Sequence, residues 1–468
     1  MLRSVAGWKK RLMSKDLMAQ FVLGSGGSLF IRVISSGIAL VSTVILTRLL
    51  GLQEYGTYAY TISWLTALVL LGRLGFNQAA TRYIASYASL EQWGKLQGFV
   101  KYCVRTVYKY AICVALVSLA VLFVSGGAIK SYFQDDGIYN TFLIAMFILP
   151  LVAHLELNEG ILDGFKKVVQ SQLPMRVMRP ALIALGLLTL FYLTSIGQRE
   201  YAVDGVMVRA LTAETAMTIN LCATFLALIF SMRLRQNALP QEVKTATAEY
   251  HKSEWFSTSR DMMLATAFYL ILVQADVMML GILVGEEAAG LYTVASRIAT
   301  LLVLALTSVN AILQPIASAL YSNKKFDELQ RIVSLGATAV FAISLIGCFV
   351  LYFGADYMHL IFGDEFKETD NLLRILIIGQ LVNAFAGPAV LLLNMTKHQR
   401  DAARIMAAGA VLNLVLNLVL ITWLGTPGAA IATATTTVLW NIAAAYVAWA
   451  RLKIVSIAFW KLSFRPKS

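Results

Sequence analysis

The chain's 468 residues are 58% hydrophobic and 14% charged, with a mean hydropathy of +0.70, which exceeds what a soluble core needs. Its apolar runs are about 20 residues long, enough to cross a bilayer, so a water-soluble enzyme or binding domain is excluded and an integral membrane protein is expected. The net charge of +13 suggests nucleic acid only until the positions of the basic residues are considered.

In chain order, residues 1–25 form a basic cytoplasmic segment with Arg3, Lys9, Lys10, Arg11 and Lys15. No short apolar segment with an A-x-A-type cleavage site follows Lys15, so the first apolar run is expected to be a retained span and not a signal peptide. Apolar length then places spans at 26–49, 57–77, 106–125, 138–156, 179–196 and 206–231, the helices of an N-lobe over 26–232. The longest polar stretch, 233–260, holds Pro240 and alternating charges and reads as a cytoplasmic linker. Spans at 262–284, 291–319, 332–353, 372–395, 405–424 and 428–450 make a C-lobe over 261–453, followed by a cytoplasmic tail over 454–468. The predicted fold is an all-α integral membrane protein of about twelve helices in two six-helix lobes. Six is even, so both lobes enter from one side and relate by a pseudo-two-fold axis along the membrane normal.

The N-terminus, the even-numbered connections and the tail carry roughly thirty Lys and Arg. The odd-numbered connections carry roughly four, namely Arg48, Lys130, Arg199 and Lys367, a bias that puts both termini in the cytoplasm. The acidic ninth connection, with Asp356, Asp364, Glu365, Glu368 and Asp370, then faces outward. Basic charge here sets topology and attracts anionic lipids, so the expected partners include membrane lipids and no nucleic acid. Cys103, Cys113, Cys222 and Cys348 are too scattered for a metal site or a disulfide framework and read as reduced core residues. No cofactor or metal is expected.

A pattern G-x-x-x-x-G-x-Y occurs at Gly51, Gly56 and Tyr58 and again at Gly285, Gly290 and Tyr292, an offset of 234, half of the 468 residues. Fainter echoes pair Leu96, Gln97 and Val100 with Leu329, Gln330 and Val333, and Leu162, Asp163 and Lys166 with Leu393, Asn394 and Lys397. Duplication is the simplest explanation, and transporters often place substrate at the interface of such repeats. Pro150, Pro315 and Gly387-Pro388 lie inside spans, where each is a hinge or a static kink.

Several motifs follow one another along the chain: Thr47-Arg48-Leu49-Leu50-Gly51 with Glu54-Tyr55-Gly56 and Tyr58, Gly75-Phe76-Asn77-Gln78 with Arg82-Tyr83-Ile84-Ala85, and Gly160-Ile161-Leu162-Asp163-Gly164-Phe165-Lys166. Asp276 with Leu280-Gly281, Gly290-Leu291-Tyr292 with Ala295 and Arg297, and Gly428-Ala429-Ala430 continue the series to about Lys453. In this order they resemble the polysaccharide flippase (Wzx-like) family, which sits in the superfamily that includes multidrug antiporters and the lipid II flippase. The resemblance implies a transporter, not an enzyme, that flips an isoprenoid-diphosphate-linked oligosaccharide from the inner to the outer leaflet by alternating access. It also implies a place in cell-surface polysaccharide biosynthesis of the O-antigen (lipopolysaccharide) kind, at the cell inner (plasma) membrane. Partners of such a pathway are a polysaccharide polymerase and glycosyltransferases.

Charged groups inside spans cost about 2.5 to 3.5 kcal/mol each on insertion scales, so each is a candidate. Arg32, about two turns into the first span, and Arg73, near the inner end of the second, are candidate diphosphate contacts or snorkelling cations. Asp276 and Arg297 lie at matching depth and either form an ion pair or divide the roles of ion coupling and substrate binding. His154, Glu156 and Glu159 cluster at the end of the fourth span; Glu156 and Glu159 can share a face, for proton exchange or a latch to Arg176 or Arg179. Asn383 and Gln380 can bond sugar hydroxyls or neighbouring helices, and Asn413 with Asn417 reads as a packing pair. The expected set is therefore Arg32, Arg73, Arg297 and Asn383 for substrate, with Asp276 and Glu159 for a coupling ion. None of Arg32, Arg73, Asp276 and Arg297 is duplicated at the repeat offset, so the cavity is expected to be chemically asymmetric.

Three alternatives stand beside this reading: an ion-coupled exporter of soluble amphiphiles or drugs with the same fold, a membrane-embedded glycan-processing enzyme, and a scaffold. The enzyme reading is disfavoured because no nucleophile with a nearby base and no phosphate-cradling Gly loop appears.

Overall fold

The computed structural model describes residues 15–133, 136–197, 211–396 and 398–459. The basic residues before Lys15, the start of the predicted sixth span (206–210), and Arg199, Lys397, Arg465 and Lys467 lie outside the described residues. The described residues contain helices and no strand. In hydrocarbon a helix is how an apolar run satisfies all of its backbone polar groups within itself.

Nine described helices are long and apolar enough to cross a membrane, and two pairs bent by 44° each make a further span. The first of the nine, Ile31–Arg73, lies in a helix, Lys15–Arg73, that is two helices joined at Gly51, whose φ of 77° and ψ of 179° leave helical geometry. Twelve spans result, as the sequence predicts. They are α1 (15–50), α2 (52–73), α3 (Trp93–Phe133), α4 (Asp136–Gly164), α5 (Arg179–Gly197) and α6 (Ala213–Ala238) in one lobe. In the other are α7 (Lys252–Leu283), α8 (Glu286–Thr300, continuing as Val303–Ser322), α9 (Phe326–Gly354), α10 (Thr369–Ala386 with Ala389–Met395), α11 (Gln399–Leu424) and α12 (Thr426–Leu452).

Two breaks show how sequence sets shape. In α10 the break falls at Gly387-Pro388, where Gly387 has φ 68° and ψ −151°. In α8 the bend is at 301–302 and not at Pro315, since Val303–Ser322 is continuous helix. The first piece of α8 packs both on α1 and α2 across the lobe boundary and on α7 and the first part of α10 in its own lobe, whereas the second packs mainly on α9 and the end of α10. Pro150 lies within continuous helix in α4.

The duplicated motif is where the lobes meet. Gly51 and Gly285, both at positive φ (77° and 128°), make the turns into α2 and α8. Beyond them Gly56 and Gly290 face each other: a Cβ on Gly290 would lie 2.9 Å from the Gly56 Cα, and one on Gly56 would strike the Glu286 carbonyl. The two copies thus permit helix backbones to touch across the lobe boundary. This end is fastened further. The Leu52 N–H donates to Glu365 Oε2 at 2.6 Å, Arg48 donates to the Leu360 and Ile361 carbonyls, and Tyr55 packs edge-on against Phe366.

At the opposite end the linker is shorter than the sequence suggests, because α6 runs to Ala238 and α7 starts at Lys252. An amphipathic helix, Phe76–Ser89, follows α2 and receives the start of α7, while the linker packs on the start of α3. Trp255 is fully buried there, with Phe99 and Tyr102 against its ring and its Nε1 donating to Tyr87 Oη at 2.9 Å.

The glutamine echo also has a structural role. Gln97 Nε2 donates to the Lys244 carbonyl, in the segment that leaves α6. Gln330 holds both the N–H and the C=O of Val455, in the segment that leaves α12, at 2.8 Å each. Each lobe thus clamps the chain leaving its sixth helix with a glutamine at the start of its third. The cysteines are unpaired; Cys103 and Cys348 are buried as expected, but Cys113 and Cys222 are exposed, on helix faces turned out of the bundle.

Candidate functional site

Between the lobes lies a cavity of about 310 Å³ walled by α1 and α2 on one side and α7 and α8 on the other. Its polar lining includes Ser36, Tyr55, Tyr58, Ser63, Gln274 and Arg297. Two hydrogen bonds cross it: Arg297 Nη1 donates to Thr43 Oγ1 at 2.5 Å, and Ser63 Oγ to Gln274 Oε1 at 3.3 Å. Arg297 is therefore a cation from the second lobe pointing at the first.

The ion pair considered between Asp276 and Arg297 is not formed. Asp276, 2% exposed, accepts from Tyr292 Oη, Asn417 Nδ2 and Thr433 Oγ1, each at 2.5 Å. Tyr292 and Arg297 are five positions apart on α8, about 140° around the helix. When Tyr292 faces Asp276 inside its own lobe, Arg297 must face elsewhere. Asp276 thus sits where α7, α8, α11 and α12 converge, in a wholly neutral shell. Asn417 also donates to Asn413 Oδ1 at 3.1 Å, the pairing expected of these two residues. Its own Oδ1 is buried with no partner, leaving an acceptor beside the carboxylate.

The first lobe differs. Arg73 on α2 is ion-paired with Glu156 on α4, both partly exposed. Glu159, expected as a coupling-ion site with a latch to Arg176 or Arg179 as the alternative, pairs with Arg176 at 3.0 Å. Arg179 donates from Nε to Asn220 Oδ1 at 3.1 Å, and Asn220 donates from Nδ2 to Tyr58 Oη at 3.2 Å, so a polar chain leads from Arg179 to the cavity wall. Arg32 is half-buried and interacts electrostatically with Asp163.

The expected substrate residues are thus divided. Arg297 lines the cavity, whereas Arg73 lies about 22 Å further along α2 from Tyr58 at 1.5 Å per residue. Asn383, 8% exposed, donates to Gln380 Oε1 within α10 at 3.2 Å and is absent from the lining of this cavity. Sequence reasoning missed Tyr58, Tyr292, Asn220 and Thr433. The two tyrosines were visible only as the last letter of the duplicated motif, and Thr433 carries no signal of its own.

Residues 24–321 match the family model described as polysaccharide biosynthesis protein, and residues 262–419 match the MatE model. Among relatives, the probable low-salt glycan biosynthesis flippase Agl15 of Haloferax volcanii is 31% identical over 163 residues. That match spans about a third of each chain, 34% of this one and 34% of the other. An uncharacterized membrane protein of Methanocaldococcus jannaschii is 23% identical over 81% of this chain and 74% of its own length. Among solved structures, a multidrug resistance MATE family transporter of the MOP superfamily in an inward-facing conformation aligns with a TM-score of 0.72 at 12% identity, covering 91% of this chain and 98% of that one. The lipid II flippase MurJ in an inward closed conformation aligns with a TM-score of 0.63 at 14% identity, covering 91% and 87%. These structures share the two-lobe fold.

Proposed function

Because the chain belongs to the polysaccharide biosynthesis protein family, a family of membrane transporters, we propose that it flips isoprenoid-diphosphate-linked oligosaccharides from the inner to the outer leaflet. The observation that carries this reading is the excess of arginine over acid in the first lobe, with Arg73 and Arg179 largely buried and Arg176 half exposed. Arg32, Arg73, Arg176 and Arg179 face Glu156, Glu159 and Asp163, and Arg297 adds a further cation at the cavity between the lobes. A diphosphate head needs cations, and arginine's planar fork suits phosphate oxygens. The sugar needs hydroxyl and amide partners, which the cavity wall offers in Ser36, Ser63, Tyr58 and Gln274.

The loop-charge bias assigns the linker end to the cytoplasm and the Gly51 end to the outside, in the plasma membrane. The Gly56–Gly290 contact is then an outer seal. Substrate enters from the inner leaflet, and the lobes separate at the duplicated motif to release it. An inside-negative potential favours the anion's exit by about 2.3 kcal/mol per charge per 100 mV. Asp276 takes up the coupling ion, a proton or sodium, because a buried carboxylate held by neutral donors gains most from a bound cation. The reading is tested in proteoliposomes holding a labelled isoprenoid-diphosphate oligosaccharide. Protein-dependent movement of label between leaflets is expected; no movement rejects it, and export of a soluble dye in its place would return the drug-exporter alternative.

A further inference from the structure

The ion pair between Arg73 and Glu156 joins residues 83 apart in sequence and uses a single guanidinium nitrogen, Nη1. The Nε of Arg73 is buried with no acceptor. One of the three guanidinium nitrogens is thus withdrawn from water without a partner, an arrangement that costs free energy until an acceptor fills it. Glu156 also interacts electrostatically with Arg179, with no hydrogen bond between them among the described residues. The hydrogen bonds that Arg179 makes go to neutral atoms, Asn220 Oδ1 and Met175 Sδ. One carboxylate is therefore shared by two guanidinium groups and neutralises half of their charge.

A diphosphate has what this arrangement lacks: more than one negative charge, and oxygens enough to fill the fork of Arg73 while reaching Arg179. We infer that Glu156 is an internal stand-in for the substrate's diphosphate, holding Arg73 in the empty carrier and giving way when a diphosphate bridges Arg73 and Arg179. This inference rests on the flippase reading. Its mechanistic value lies in release. A carrier that bound a diphosphate with two free arginines would hold it too tightly to let go, whereas a tethered carboxylate competes for the same cation and lowers the apparent affinity. It also keeps Arg73 paired while the carrier resets empty, when an unpaired cation with a buried Nε would be costly.

The test uses the full chain in nanodiscs of zwitterionic lipid, titrated with geranylgeranyl diphosphate, geranylgeranyl monophosphate and the uncharged alcohol. Glu156→Gln is expected to tighten diphosphate binding about tenfold, to tighten monophosphate binding less, and to leave the alcohol unchanged. In proteoliposomes the same variant is expected to flip the labelled lipid more slowly, because release is impeded. Arg179→Gln keeps the Arg73–Glu156 pair intact and is expected to reduce diphosphate affinity to that of the monophosphate. A Glu156→Gln protein that melts like wild type and binds diphosphate no more tightly overturns the inference alone, provided the wild type flips. If that variant fails to fold, an Arg179→Gln protein that still prefers diphosphate over monophosphate as wild type does overturns it equally. Folded wild type and variant that bind neither phosphate overturn both the inference and the flippase reading.

Discussion

Tyr58 and Tyr292 occupy the same place in the two repeats, and their hydroxyls meet opposite chemistry. Tyr58 accepts from Asn220, which in turn accepts from Arg179; Tyr292 donates to the carboxylate of Asp276. The position matching Asp276 in the first lobe is Ser42, whose Oγ donates to the Pro180 carbonyl at 2.7 Å. Duplication has kept the backbone devices, namely the glycines that let helices touch and the glutamines that clamp the exiting chain. The interior of each lobe has taken a different charge. A bilayer makes every buried charge expensive, so the opposite charges that these equivalent tyrosines lead to fit the separate tasks proposed for the lobes, anion handling in the first and cation coupling in the second.

The comparison breaks most severely at Asp276. Asp276→Asn keeps the shape and loses the charge, and ion-driven flipping is expected to fall to the rate seen without a gradient, measured as label movement under an imposed pH or sodium gradient. Full gradient-driven turnover in that variant would remove the second lobe's assigned task. Next in size is Gly56→Ala, whose Cβ would strike the Glu286 carbonyl. Overpacking of this kind costs about 1 to 3 kcal/mol and is expected to hold the lobes apart at the Gly51 end, read as increased labelling of a cysteine placed beside Tyr55.

The paired tyrosines sharpen the contrast. Tyr292→Phe removes a hydrogen bond to a charged group, worth about 1.5 to 3 kcal/mol, whereas Tyr58→Phe removes a neutral one worth about 0.6 kcal/mol in a membrane helix bundle. Thermal unfolding in detergent is expected to show the larger loss for Tyr292→Phe, and equal losses would dissolve the asymmetry. The smallest effects belong to the clamps. Gln330→Leu forfeits two bonds to Val455 and Gln97→Leu one to Lys244, so at about 1 kcal/mol each the first is expected to destabilise roughly twice as much.

Much of the scaffold was legible because the bilayer enforces it. Apolar length marked the twelve spans, and the motif at Gly51 and Gly285 marked the turns that lead to the contact between lobes. The α8 bend was not legible, because it falls at Leu301-Leu302 with no Gly or Pro to announce it. Depth could be read for Asp276 and Arg297, but rotation about the helix could not, and rotation decides that one faces Tyr292 and the other Thr43. The partner of Arg73 was likewise hidden, since it comes from α4. The glutamine echo was visible as a pattern, but its role required knowing where the chain goes after α6 and α12.

A flippase with this arginine-rich lobe selects its cargo by the charge on the lipid head. In proteoliposomes of the wild-type chain, the transbilayer movement of a labelled isoprenoid-diphosphate oligosaccharide is compared with that of the same oligosaccharide on an uncharged isoprenoid linkage. The expected result is protein-dependent movement of the diphosphate lipid and none of the uncharged one. Equal movement of both, or movement of neither, would contradict the assignment of the arginine-rich lobe to the diphosphate.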